Sequence, residues 1–150
     1  MSIGELCNRE VVVIKTDASI SEAVKLMRQY NVGDIVVVAQ RGIHSVPVGI
    51  LTDRDLVIEI MAKEVDPQSV TVGDVMSTTL VTAREEEELV DVVHRMRNKG
   101  VRRVPIVNEQ GGLEGIIAVD DVLSLLAEQI TGLAELVRKE LQHERTTRSH

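Results

Sequence analysis

The chain has 150 residues, with 43% hydrophobic and 27% charged side chains and a formal net charge of −7. That composition is globular rather than disordered, and the acidic balance argues against nonspecific binding to DNA, RNA or an anionic membrane. Tyr30 is the sole aromatic and Cys7 the sole cysteine, so base stacking on aromatic platforms, a disulfide framework and a multi-cysteine zinc site are all excluded.

The first residues show no basic segment followed by a long apolar one, and no apolar run nears the roughly 20 residues of a membrane span. A cytoplasmic protein is expected. Ser2 with Glu5 reads as a helix N-cap with an acid at the third position. A short extended stretch over residues 11–14 follows. Ser19 and Glu22 make a capping box, and Ile20, Ala23, Val24, Met27 and Tyr30 form one apolar stripe of an amphipathic helix. Two strands are expected over residues 32–38 and 46–51, and the unbroken run Ile35-Val36-Val37-Val38 predicts burial on both faces. A second helix starts near Asp53.

The same order then begins again. An offset of 69 residues carries Ser2 onto Thr71, Val12 onto Val81, Val24 onto Val93, Met27 onto Met96 and Val38 onto Val107. Repeat one carries three extra residues, assigned to a loop near residues 41–46. Beyond it an offset of 66 carries Gly49 onto Gly115 and Asp55 onto Asp121. Repeat two therefore has an N-cap at Thr71 with Asp74, an extended stretch at 80–83, and a helix with the stripe Leu89, Val92, Val93 and Met96 that stops at Gly100. Strands at 101–107 and 113–119 and a helix from near Asp120 complete it. The predicted fold class is α/β (α+β), two β-α-β-β-α repeats packed about a pseudo-twofold axis. The repeats span residues 2–70 and 71–130. A unit of about 60 residues buries too little surface to stand comfortably alone, so the copies pack together and leave clefts between them. Leu126, Ile130, Leu133, Val137 and Leu141 extend the last helix into a tail over residues 131–150. Gly132 is a candidate interruption, and residues 142–150 are polar enough to fray. The tail either packs on its own domain or makes a dimer contact.

The heptamer Gly49-Ile50-Leu51-Thr52-Asp53-Arg54-Asp55 puts a hydroxyl and two carboxylates at the first turn of a helix. An ionised Asp55 can accept from two adjacent ribose hydroxyls, and Arg54 can pair with phosphate. The same residues are also good N-cap chemistry, and the heptamer alone serves either role. Its counterpart keeps Asp121 but has Ala118 for the hydroxyl and Asp120 for the arginine. Arg102 and Arg103 open a strand, where alternation sends only one of them toward a given cleft. Gly33 and Asp34 stand at those positions in repeat one. Pro105, lacking an N–H, suggests a sheet edge or a ligand-facing backbone. Glu85-Glu86-Glu87-Glu88 reads as a solvated helix N-terminus that would repel phosphate if it faced a cleft. The histidines show no metal-ligand spacing, and Cys7 and His94 show no nucleophile-and-base grouping.

The duplication, the β-α-β-β-α order and the heptamer together resemble the cystathionine β-synthase (CBS) domain family, whose tandem pair is called a Bateman module. The resemblance covers residues 2 to about 130. The family's glycine–apolar–x–Thr/Ser–x–x–Asp pattern is met by Gly49, Ile50, Thr52 and Asp55, and by Gly115, Ile116 and Asp121 without the hydroxyl at Ala118. It implies a regulatory, non-catalytic module with no obligatory cofactor that binds an adenosyl ligand such as AMP, ADP, ATP, NAD or S-adenosylmethionine. It implies ribose contacts at Thr52, Asp55 and Asp121 and phosphate contacts at Arg54 and Arg103. It places adenine against Ile14, Thr16, Gly33, Ile35, Val104 and Pro105. A homodimer acting on a separate effector protein, without nucleic acid or membrane, is the expected setting. The rival readings are a scaffold with empty clefts and, less favoured, a nucleotide hydrolase.

Overall fold

The computed structural model describes residues 1–148. The chain forms two compact bodies, Met1–Ile117 and Ala118–His150. The elements run α1 (Ile3–Leu6), β1 (Val13–Lys15), α2 (Ile20–Tyr30), β2 (Asp34–Arg41), β3 (His44–Thr52) and α3 (Asp53–Asp55), which continues as a π-helical stretch (Leu56–Met61). A 3-10 turn (Pro67–Ser69), α4 (Val72–Val75), α5 (Leu89–Lys99), β4 (Arg103–Val107), β5 (Leu113–Ala118) and α6 (Val119–Arg148) follow.

Local sequence accounts for the helix limits. Ser19 Oγ accepts from the Glu22 amide at 3.1 Å and starts α2. The helix ends at Asn31 in the left-handed region (φ 52°), and α5 ends at its repeat equivalent Gly100 (φ 67°). Both positions demand a residue that tolerates positive φ. Asp74 Oδ2 accepts from the Thr71 amide at 2.9 Å, as the Thr-x-x-Asp spacing predicts. Ser2 differs: it stands at the N-cap of α1, but its side chain makes no capping bond.

In the first sheet β1 pairs parallel with β2, and β2 pairs antiparallel with β3. Ile35 to Val38 are all buried, at 3% exposure or less. The three extra residues of repeat one do not form a loop. They lengthen the hairpin, so β2 and β3 run 8 and 9 residues against 5 and 6 for β4 and β5. The expected extended stretch at 80–83 is also reduced, to a single parallel bridge of Ala83 with Ile106. Pro105 explains this. In repeat one the Val36 amide donates to Val12 O at 3.1 Å and extends the β1–β2 pairing. The equivalent residue of Val36 is Pro105, which has no N–H to donate. Pro105 is accordingly no open sheet edge; it is fully buried, and its carbonyl accepts from the Ala83 amide at 3.1 Å.

The repeats exchange their leading segments. The Ile3 and Gly4 amides donate to Glu87 O and Glu85 O, both at 2.9 Å, and Asn8 bridges Ile116. Sixty-nine residues on, the Val72 and Gly73 amides donate to Ala18 O and Thr16 O at 3.0 and 2.8 Å, and Ser77 bridges Ile50. Val72 is fully buried in the core of repeat one with Ile14, Ile20, Ala23, Met27, Ile35 and Leu51. Ile3 is buried as completely.

The helix stripes are not wholly internal. Ile20, Ala23 and Met27 are buried on α2, while Val24 and Tyr30 are about half exposed. Val93, the equivalent of Val24, is exposed on α5 with Val90. In the second body α6 runs unbroken through Gly132 to Arg148, so neither the interruption nor fraying over 142–148 is found; Ser149 and His150 lie outside the described residues. Leu126, Ile130, Leu133, Val137 and Leu141 are all exposed along it.

The motif glycines serve the exchange. A Cβ at Gly49 would stand 2.5 Å from Met76 Sδ and 2.8 Å from Ser77 O, and one at Gly115 would stand 2.9 Å from both Cys7 Sγ and Asn8 O. Gly49→Ala is therefore expected to destabilise the protein by about 1–3 kcal/mol through overpacking. Gly132→Ala meets nothing within 4 Å and is expected to stabilise by about 0.5–1 kcal/mol. Thermal denaturation of the two variants checks the opposite signs.

Candidate functional site

The heptamer's polar residues gather at the end of β3, beside the start of β2. Thr52 caps α3: its Oγ1 accepts from the Asp55 amide at 3.0 Å, and Asp55 Oδ2 accepts from the Thr52 amide at 2.9 Å. The two expected ribose contacts are thus adjacent, and each is already engaged in holding the other. The Thr52 hydroxyl hydrogen and the second Asp55 oxygen remain for a ligand. The Asp53 amide donates to Gly33 O at 2.9 Å, and Asp53 Oδ1 accepts from the Arg54 amide at 2.8 Å. Gly33 keeps that approach open, since a Cβ there would sit 3.1 Å from Asp53 Oδ2.

Register places Asp34 directly opposite Thr52. Arg103 Nε donates to Asp34 Oδ2 at 2.6 Å, with the two side chains 28% and 19% exposed. Positions 34 and 103 are repeat equivalents, so the two copies meet at this pair, as they must on a pseudo-twofold axis. As alternation predicts, the two arginines diverge: Arg103 turns to this cluster while Arg102 is exposed. Arg54 is exposed, and among the described residues its guanidinium makes no hydrogen bond or ion pair.

The other expected contacts divide in two. Thr16 lies just past β1, half-buried, with its carbonyl bound to the Gly73 amide. Ile14, Ile35, Val104 and Pro105 are core residues, none more than 6% exposed. They are buried and not open to a ligand. Asp121 is exposed in the first turn of α6, beside Asp120, and belongs to the second body. A cavity of about 610 Å³ opens elsewhere, between residues 8–13 and α2, walled by Val11, Val12, Val13, Leu26 and Val32 with Glu10 and Tyr30. It includes none of the expected contact residues.

The acidic run leads into α5, with Glu88 at the N-cap and Glu86 and Glu88 largely exposed, and each carboxylate also has a cationic partner. Glu85 pairs with Arg9, Glu86 with Arg84 at 3.5 Å, Glu87 with Arg95 at 2.5 Å and Glu88 with the Met1 amine at 3.0 Å. Burial pushes the Glu87 carboxyl up, but the Arg84 amide and the Arg95 guanidinium outweigh it and hold it below the ordinary 4.5. Cys7 Sγ reaches only the Gly4 carbonyl at 3.7 Å, and exposed His94 contacts Arg97. Among the described residues no three His, Cys, Asp or Glu side chains are placed to hold a metal ion. No described helix is long and apolar enough to cross a membrane.

The family model for the CBS domain matches this chain twice, over residues 3–62 and 72–128. The chain belongs to the CBS domain family. The CBS domain-containing protein YhcV of Bacillus subtilis is 38% identical over 121 residues, covering 81% of this chain and 82% of that protein. A hexameric CBS-CP12 protein from bloom-forming cyanobacteria is 26% identical with a TM-score of 0.71, covering 98% of this chain and 87% of its own. The CBS domain pair of protein MJ0100, in complex with 5′-methylthioadenosine and S-adenosyl-L-methionine, shares the fold at a TM-score of 0.73 and 22% identity, covering 86% and 98%. The element order, two small sheets and a final helix, is that of a CBS pair.

Within this CBS pair the Glu87 carboxylate contributes stability that is complete above its unfolded value near 4.5 and is lost as pH falls through its lowered folded value. Glu87→Gln is expected to cost about 0.5–1 kcal/mol at pH 7, modest because the pair is partly solvated. The gap from wild type should close in acid. Urea denaturation at several pH values measures it.

Proposed function

We propose that this CBS pair is a regulatory sensor of an adenosyl ligand, without catalysis of its own, acting on a separate effector protein as a homodimer. The observation that carries the reading is the adjacent Thr52 hydroxyl and Asp55 carboxylate at the end of β3, each with hydrogen-bonding capacity left over. Asp55 takes the ribose hydroxyls, Thr52 assists, and Gly33 and Thr16 border the base. Arg54 and Arg103 are the cations a 5′-phosphate would meet, whether AMP, ADP, ATP or NAD. The complex of the MJ0100 pair with two adenosyl compounds supports the ligand class. A second ribose contact at Asp121 would be the weaker one, because Ala118 supplies no hydroxyl and Asp120 replaces the arginine.

The homodimer reading draws on exposed apolar side chains that recur at equivalent positions, Val24 and Val93, and on the exposed apolar stripe of α6. Exposed apolar side chains of that kind favour a partner. Light scattering should report about 33 kDa, twice the 16.5 kDa chain; a monomer mass at high concentration rejects it.

Calorimetry with adenosine tests the site. Asp55→Asn keeps an acceptor for the Thr52 amide but removes the charge and one acceptor oxygen. It should weaken binding at least about tenfold, near 1.4 kcal/mol, with little change in thermal midpoint. One strong ligand per chain is expected. A scaffold with empty clefts is favoured by the mutual capping of Thr52 and Asp55, and the same titration with wild type separates the readings: no heat with any adenosyl compound selects the scaffold.

A further inference from the structure

We propose that the Asp34–Arg103 ion pair makes the Thr52–Asp55 site select adenosyl ligands whose 5′ substituent is uncharged or cationic over those carrying a 5′-phosphate. This rests on the reading that Thr52 and Asp55 hold an adenosyl ligand, and adds which class of ligand they hold.

Asp34 faces Thr52 across the β2–β3 ladder, so its carboxylate belongs to the rim of the site. Arg103 is the cation paired with that carboxylate, its Nε bound to Asp34 at 2.6 Å. Both side chains are mostly shielded from water, which strengthens their mutual attraction and makes separation unfavourable. A phosphate recruiting Arg103 must either draw it from Asp34, leaving a half-desolvated carboxylate, or approach with Asp34 still in place. The second course brings a dianion toward three carboxylates, Asp34, Asp53 and Asp55. Against them stand Arg103, already neutralised, and Arg54, whose exposed charge is screened by solvent. The formal charge of these five groups is −1. An uncharged 5′ group meets none of this repulsion, and a cationic one is attracted. Positions 34 and 103 are repeat equivalents joined at the seam of the two copies, so the pair is held in place from both sides.

The test is calorimetry of wild type and Asp34→Asn with adenosine, 5′-methylthioadenosine and AMP at low salt. Wild type should bind adenosine and 5′-methylthioadenosine at least tenfold more tightly than AMP. Asp34→Asn frees Arg103 and should tighten AMP at least tenfold relative to adenosine measured on the same variant. AMP binding to wild type as tightly as adenosine overturns the selectivity but leaves the site reading intact, and that comparison needs no variant. A folded Asp34→Asn protein with unchanged AMP affinity also overturns it. Failure of all three compounds to bind wild type rejects the site and the selectivity together.

Discussion

The exchange of leading segments is the constraint on which the first body depends. Each repeat supplies the other with a short helix, α1 or α4, and with the residue that seals its core, Ile3 or Val72. Neither copy is complete without its partner's segment, which is the structural answer to how units of about 60 residues reach a stable core. The exchange also dictates the motif. The glycine that opens each heptamer lies where the exchanged backbone crosses β3 or β5, and any side chain there would strike a carbonyl. A residue that looks like part of a binding signature is therefore set by packing, with the polar residues following it carried to the strand end.

Those polar residues have two occupations at once. Thr52 and Asp55 close a helix start, and the same side chains offer a hydroxyl and a carboxylate outward. Capping fixes their rotamers before any ligand arrives, so the arrangement is preorganised. The pairing of Asp34 with Thr52 across the sheet sets the charge of that rim as firmly as the heptamer sets its shape.

Much of this was legible in the chain because duplication gives every position a control. The offset of 69 aligned Asn31 with Gly100 and Val24 with Val93, and the heptamers marked the strand ends. What escaped was tertiary. Val24 and Tyr30 lie at helical spacing with the buried stripe, and periodicity cannot tell a core-facing residue from one awaiting a partner. The extra residues near Arg41 read as a loop because polar side chains on an exposed hairpin mimic one. The ion pairs of Glu85 to Glu88 carried no sequence signal because their partners, Arg9 and Arg95 among them, are distant in sequence or on another element. The Asp34–Arg103 pair had a signal: opposite charges at equivalent positions of a twofold arrangement can meet only at its axis.

One substitution makes the two halves mechanically unequal. In the first, three residues of β1 lie in register on β2; in the second, with Pro105 on β4, the corresponding stretch is bridged to β4 at Ala83 only, among the described residues. A segment held by fewer backbone bonds opens at lower free energy. The duplicated frame thus has a stiff copy, carrying Thr52 and Asp55, and a compliant copy carrying Arg103. The charge pair of Asp34 and Arg103 joins the two.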